Sequence, residues 1–181
     1  IAILDADIPL TMPKKLTAHT GMDALTHAIE AYVATARSNF SDALALQAIS
    51  DIYDSLVASY YGDKAAREKM HIAQCMAGMA FSNALLGIAH SFHIPHGCCN
   101  AILLPSVIEF NAKVCADRYA VIARHLGLTG NTDAQLTNAL IDSIKALNKK
   151  LDIAQTYKEN GVSEEVLREH ADTIAANAVL D

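Results

Sequence analysis

The chain has 181 residues and a mass of 19.4 kDa, which suits one domain with a substantial core and is short for an enzyme of two domains. Hydrophobic residues make up 52% and charged residues 19%, which excludes disordered, collagen-like and low-complexity classes. The formal net charge of −6 gives no basic surface for nucleic acid or an anionic membrane, so a small-molecule partner is favoured.

Residues 1–15 are predicted to form the end of a strand and a connector. The apolar run Ile1–Leu4 ends at Asp5, and Pro9 and Pro13 keep the following residues irregular. The first residues have no basic region, no long apolar stretch and no starting methionine. We therefore expect them to continue from a longer protein.

Two helices that pack as a hairpin are predicted next. Apolar residues at helical spacing predict a first helix from about Thr17 to Ala36. Ser41 is predicted to be the N-cap of the second helix, and Gly62 is predicted to end it.

The third predicted helix runs from Lys64 to about Ala89 and carries no charge over most of its length. No Asp, Glu, Lys or Arg occurs between Lys69 and Glu109. An apolar stretch of this length raises the alternative of a membrane span, but polar residues and a proline interrupt it. A helix enclosed by other helices is the favoured interpretation.

A turn with a proline is predicted to follow this helix. Pro95 lies within the segment Ser91–Gly97, which we expect to be a turn. The next predicted helix contains Pro105, which should kink or restart it because proline removes one backbone hydrogen bond.

Three more helices complete the predicted domain. One covers Cys115–Leu126, one begins with a capping box of Thr132 and Gln135, and the last begins near Ser163. No alternation of strands and helices follows the N-terminal run. The sequence therefore predicts an all-α domain of about seven helices.

The cysteine pattern indicates a reducing compartment. The chain has no CxxC spacing, and two of its cysteines are adjacent, which is an awkward arrangement for a disulfide framework. We therefore expect a cytoplasmic location with four thiols, at Cys75, Cys98, Cys99 and Cys115.

A carboxylate and an imidazole are predicted to share one face of the first helix. Asp23 and His27 are four residues apart, which places both side chains within reach of one metal ion. Glu30 continues the same polar stripe, so a solvated face with an Asp–His pair is the alternative.

Three histidines lie close together around the predicted turn. His90, His93 and His96 fall within seven residues of a region without charged neighbours. Each could instead be a hydrogen-bonded core histidine. Together with Asp23 and His27 they form a nitrogen and oxygen donor set that suits Fe(II) or Zn(II) and is too poor in oxygen for Ca(II) or Mg(II).

Phe81 is a candidate wall of a substrate pocket. It lies nine residues before His90, and a core aromatic is the alternative interpretation. No GxGxxG, Walker or GxSxG motif occurs in the chain.

Four strings of residues resemble the iron-containing alcohol dehydrogenases, and the resemblance as a whole covers nearly the entire chain. They are Leu16–Tyr32, Ser41–Ala45, Met76–Ala84 and Pro95–Pro105. The alcohol dehydrogenase part of bifunctional aldehyde-alcohol dehydrogenases is most similar to the segments Phe92–Gly97, Leu151–Ile153 and Glu159–Val162.

The resemblance implies that residues 16–181 are the all-helical metal-binding domain of a two-domain enzyme with dehydroquinate synthase-like architecture. An N-terminal α/β domain, absent from this sequence, would bind NAD(P). Iron would lie in the cleft between the domains. Phe81 corresponds to an aromatic residue of the substrate pocket, and His93 lies outside the ligand pattern. The residues that correspond to the family's metal ligands are Asp23, His27, His90 and His96.

The resemblance also implies an activity. The ion, Fe(II) or alternatively zinc, would act as a Lewis acid while hydride passes between a small primary alcohol or aldehyde and NAD(P). A homo-oligomer without nucleic-acid or membrane partners is expected, inactive without its nucleotide-binding half. The alternatives are a zinc-using relative similar to glycerol dehydrogenase and a non-catalytic helical assembly fragment.

Two features depart from the family pattern. Ser91 joins directly to Phe92, where the family usually has a longer run, and we expect a chain break at this join. The chain also ends at Asp181, before a cysteine-containing stretch that the resemblance leads us to expect.

Overall fold

A computed structural model of the protein describes residues 3–81, 95–166 and 168–169. These residues are helical with no strand among them, which confirms the all-α prediction. Short 3₁₀ segments occur at Ile8–Thr11 and Lys158–Asn160, and residues 164–166 and 168–169 are helical at the predicted start of the last helix. The long helices are α1 (Lys14–Val33), α2 (Asn39–Tyr60), α3 (Lys64–Phe81), α4 (His96–His125) and α5 (Asp133–Lys150).

α1 lies at the centre of the fold and packs against α2, α3 and α4, while α5 packs against α4. The core between α1 and α2 is made of fully buried aliphatic side chains, each worth about 1.5–3 kcal/mol when buried. Gly21 lets the two helices meet closely, since a Cβ atom there would lie 2.2 Å from Leu56 Cδ1. The buried set includes Met22, Leu25, Ile29, Ile49, Ile52 and Leu56.

The ends of the first two helices differ from the prediction. α1 begins at Lys14 because Pro13 serves as its N-cap, and it ends at Val33. The N-cap of α2 is Ser38, so the prediction of Ser41 is wrong. Ser41 instead completes a reciprocal capping box: its amide donates to Ser38 Oγ at 3.2 Å, and its hydroxyl accepts from the Ser38 amide at 2.8 Å.

Arg67 fixes the connector to the helices. This buried side chain of α3 donates to the carbonyls of Pro9 at 2.6 Å and Leu10 at 2.9 Å, and to Ser59 O at the end of α2 at 3.2 Å. The guanidinium therefore binds carbonyls at the negative end of a helix, where a positive charge is favoured. Ile3 and Leu4 have no regular secondary structure.

The third helix is described as far as Phe81. The remainder of the predicted helix to Ala89, most of the predicted turn, and the Ser91–Phe92 join lie outside the described residues. All four cysteines are described, and none forms a disulfide.

α4 stays helical through Pro105, so the predicted restart of the helix there is wrong, and the backbone departs from helical geometry at Cys115 instead. The position of the break matches the predicted start of a separate helix at Cys115. Proline lacks the amide that would bind the carbonyl of Ala101 one turn earlier. Asn148 of α5 takes that place, because its Nδ2 donates to Ala101 O at 2.7 Å.

Within the described part of the chain, α4 is the one helix long and apolar enough to cross a membrane by length and composition. A single helix of this kind is weak evidence for a span, because core helices pass the same test. α4 packs against both α1 and α5, so part of its apolar surface has partners in the fold.

The capping of α5 is close to the prediction. Thr132 is the N-cap, and its hydroxyl accepts from the amide of Gln135 at 3.2 Å. The return bond goes one residue earlier than in a standard box, since Gln135 Oε1 accepts from the amide of Asn131 at 2.8 Å.

Replacing Asn148 by alanine should leave the buried carbonyl of Ala101 without a donor and lower the free energy of unfolding by about 1–3 kcal/mol. The same change in a Pro105→Ala background should cost less, because residue 105 then carries the missing amide. Chemical denaturation of the four proteins measures this coupling. Equal costs in both backgrounds would show that Asn148 does not compensate for the proline.

Candidate metal centre

Two groups of the site lie on one face of α1. Asp23 and His27 are one helical turn apart, and His27 Nε2 lies 3.4 Å from Asp23 Oδ2. Their side chains are only 25% and 20% exposed, respectively. The pair is therefore half-buried, and the His27 imidazole faces the Asp23 carboxylate rather than bulk water.

The third group comes from the first turn of α4. His96 Nε2 lies 3.4 Å from Asp23 Oδ1, on the carboxylate oxygen that His27 does not face. One donor atom from each of Asp23, His27 and His96 lies within 4.8 Å of the others. We call these three residues the Asp23–His27–His96 cluster; its carboxylate and imidazoles are donors that Fe(II) and Zn(II) accept.

Gly97 makes this approach possible. A Cβ atom at position 97 would lie 2.0 Å from the carbonyl oxygen of His19 and 3.1 Å from Asp23 Cβ. Any side chain there would push the first turn of α4 away from α1. The glycine that follows His96 in the sequence is thus required for the histidine to reach Asp23.

Asn100 also contacts the cluster, although nothing in the sequence pattern singled it out. Its Nδ2 donates to Asp23 Oδ1 at 2.8 Å. Asn100 lies one turn after His96 on α4, so the i, i+4 spacing was the available signal.

The charge state of Asp23 is set by opposing effects. Burial raises the pKa of its carboxyl, while the hydrogen bond and charge of His27, the charge of His96 and the hydrogen bond from Asn100 lower it. The lowering effects prevail, so the pKa of Asp23 lies below its ordinary value. The carboxylate is therefore ionised near neutral pH.

Glu30 does not belong to a solvated stripe. Its Oε2 is buried and makes no hydrogen bond with the described residues. Burial raises the pKa of Glu30 to about 7, with His27 opposing and Asp23 adding to the shift. The alternative interpretation, a fully solvated face through Asp23, His27 and Glu30, therefore does not hold at Glu30.

Phe81, the last described residue of α3, lies beside the cluster. Its ring centroid is 4.5 Å from that of His27, with the planes tilted by 36°. Its contribution to a substrate pocket stays a prediction. His90, the predicted fourth ligand, and His93 lie outside the described residues.

Comparison with known proteins identifies the family. The description "Fe-containing alcohol dehydrogenase family, C-terminal" applies to a family model that matches residues 17–181. The chain belongs to this family. The family resemblance of its sequence strings is thereby confirmed.

Named relatives and solved structures agree with this assignment. The NADPH-dependent butanol dehydrogenase of Clostridium saccharobutylicum is 57% identical over 189 residues, covering 100% of this chain and 49% of the relative. The bifunctional aldehyde-alcohol dehydrogenase AdhE of Escherichia coli K12 is 40% identical, with 100% of this chain and 24% of the relative covered. An iron-containing alcohol dehydrogenase structure from Thermococcus thioreducens superposes with a TM-score of 0.87 at 40% identity, covering 97% of this chain and 47% of that one.

The chain thus spans about half of the butanol dehydrogenase and about a quarter of AdhE. It corresponds to the C-terminal, helical part of these alcohol dehydrogenases.

The Gly97→Ala substitution should push α4 away from α1. We expect this overpacking to lower the free energy of unfolding by about 1–3 kcal/mol. Metal binding should weaken as well, because His96 moves away from Asp23. Asn138→Ala, at an exposed position of α5, is the control. Thermal denaturation and calorimetric titration with Zn²⁺ measure both effects. Unchanged zinc binding in the Gly97→Ala protein would contradict the role of this close approach.

Proposed function

We propose that this chain is the metal-binding catalytic domain of an iron-dependent, NAD(P)-linked alcohol dehydrogenase that interconverts small primary alcohols and aldehydes. The observation that carries the proposal is the convergence of one carboxylate and two imidazoles in the Asp23–His27–His96 cluster. Membership of the iron-containing alcohol dehydrogenase family supports it. Residues 16–181 are proposed as the metal-binding domain.

The donor set fits the proposed ion. Asp23, His27 and His96 would hold Fe(II), with His90 proposed as a fourth ligand from the family resemblance. Zinc accepts the same donors, so metal analysis of the purified protein decides between the two. When bound, the ion supplies Lewis acidity that polarises an alcohol or carbonyl oxygen.

The residues of the chain prepare this site in three ways. The lowered pKa of Asp23 keeps its carboxylate negative and ready to bind a cation. Packing of α1 against α4 orients the two imidazoles toward that carboxylate. The ring of Phe81 covers one side of His27 and offers an apolar surface to the carbon chain of a small alcohol.

The dinucleotide is proposed to bind outside these residues. A hydride donor must come within about 3–3.5 Å of the carbon that accepts it. The chain has no glycine-rich fingerprint for the pyrophosphate, so we propose that an N-terminal α/β domain of the full-length protein presents NAD(P) to the cluster. The name of the butanol dehydrogenase relative specifies NADPH for that protein.

A cytoplasmic homo-oligomer is part of the proposal. The four cysteines form no disulfide, which is consistent with a reducing compartment. Phe110 and Val114 expose 68% and 86% of their surface on α4, which gives an assembled form an apolar surface to cover. Sedimentation of the full-length protein tests the oligomeric state.

Substituting His27→Ala in the full-length protein should remove bound metal and alcohol-dependent reduction of NAD(P)⁺ together, because one of the proposed ligands is lost. His125→Ala, at the exposed end of α4, is the matched control and should leave both unchanged. Metal content by elemental analysis and turnover with butanol are the measurements. Full metal content and activity in His27→Ala would refute the ligand assignment.

The 181-residue chain by itself should bind metal and show no turnover with NAD(P)⁺ and a primary alcohol, whereas the full-length protein should be active. The physical reason is the missing dinucleotide site. Absorbance at the nicotinamide band in both preparations measures this difference. Turnover by the chain alone would overturn the proposed division between metal-binding and dinucleotide-binding domains.

A further inference from the structure

Asn100 lies where it can control the orientation of the Asp23 carboxylate. It is on the same helix as His96 and donates Nδ2 to Asp23 Oδ1 at 2.8 Å, across the interface between α4 and α1. We propose that Asn100 is a positioning residue that keeps Asp23 in the orientation in which it ligates the metal. This inference rests on the proposed metal-binding function.

The chemistry of metal loading separates Asn100 from the other neighbours of Asp23. His27 Nε2 and His96 Nε2 each lie 3.4 Å from a carboxylate oxygen, and a hydrogen bond to Asp23 needs a proton on that nitrogen. A histidine ligand gives its nitrogen lone pair to the metal and must be deprotonated there. An imidazole that ligates an ion through Nε2 therefore cannot donate to Asp23 from that atom.

The amide of Asn100 does not face this conflict. Its N–H groups do not titrate in the physiological range, and its nitrogen has no lone pair available for a metal. Asn100 can therefore still donate to Asp23 after metal loading, whichever nitrogen the imidazoles use. A ligating carboxylate is usually fixed by such an outer hydrogen bond.

The neutral charge of Asn100 also matters. A lysine or arginine at this position would neutralise Asp23 and repel a divalent cation. An aspartate would place a second negative charge beside Asp23 Oδ1 and lose the donor. An amide orients the carboxylate while leaving its full negative charge for the ion.

The test is the affinity of the full-length protein for Zn²⁺, measured by competition with a chromogenic chelator. Asn100→Ala should weaken zinc binding by about 10–100-fold, the usual cost of removing an outer-shell partner. Asn148→Ala is the matched control, because it also removes an asparagine hydrogen bond to α4, on the side that faces α5. It should lower thermal stability and leave zinc affinity unchanged.

A second comparison asks whether Asn100 acts through Asp23. In an Asp23→Ala background there is no carboxylate to orient, so Asn100→Ala should change zinc affinity by less than about threefold. An equal loss in both backgrounds would overturn the proposal. The visible spectrum of the Co²⁺-loaded protein should also change in Asn100→Ala and remain that of the wild type in Asn148→Ala.

Asn100→Gln provides a variant that retains the amide if Asn100→Ala does not fold. The extra methylene displaces the donor, so zinc affinity should fall while thermal stability of the metal-free protein stays near that of the wild type. Wild-type zinc affinity in Asn100→Ala or in Asn100→Gln would refute the positioning role and leave the proposed metal function standing. If the wild-type protein binds neither zinc nor iron, the proposed metal function fails, and the positioning role fails with it.

Discussion

The contact between the first turn of α4 and the middle of α1 determines both the packing and the site. Gly97 meets the carbonyl of His19 so closely that no side chain fits between the helices. Pro95 is the N-cap of α4, and the close approach at Gly97 places the positive end of the helix dipole near the Asp23 carboxylate. One backbone approach thus brings His96 to the cluster and favours the ionised form of the carboxylate that a cation needs.

The helices were predictable because their signals are local. The spacing of apolar residues in α1, the glycine after α2 and the capping residues of α5 each act within a few residues of the chain. Ser41 was the wrong N-cap because Ser38 and Ser41 satisfy the same rule, and the helix begins at the earlier one. Pro105 was misjudged because the compensating donor, Asn148, lies on another helix and is invisible to a local pattern.

In the candidate site, too, some residues are placed by local spacing and others by tertiary packing. Asp23 and His27 share one helix, so their proximity follows from a spacing of four residues. His96 was predicted from the concentration of histidines and from family resemblance, since its approach to Asp23 depends on tertiary packing. The spacing of four residues places Asn100 on the same helix face as His96, but its hydrogen bond to Asp23, 77 residues away, depends on tertiary packing as well. Contacts of that range require the folded chain.

The different origins of the donor groups couple metal binding to folding. Helix α1 alone brings Asp23 and His27 together, but His96 joins them only when α4 is packed on α1. An ion that binds all three therefore prefers the packed state over any state in which α4 has moved away. Such a preference stabilises the packed state by about 2.7 kcal/mol when the free ion is at 100 times its dissociation constant. Metal would in this way reinforce the same helix contact that Gly97 makes possible.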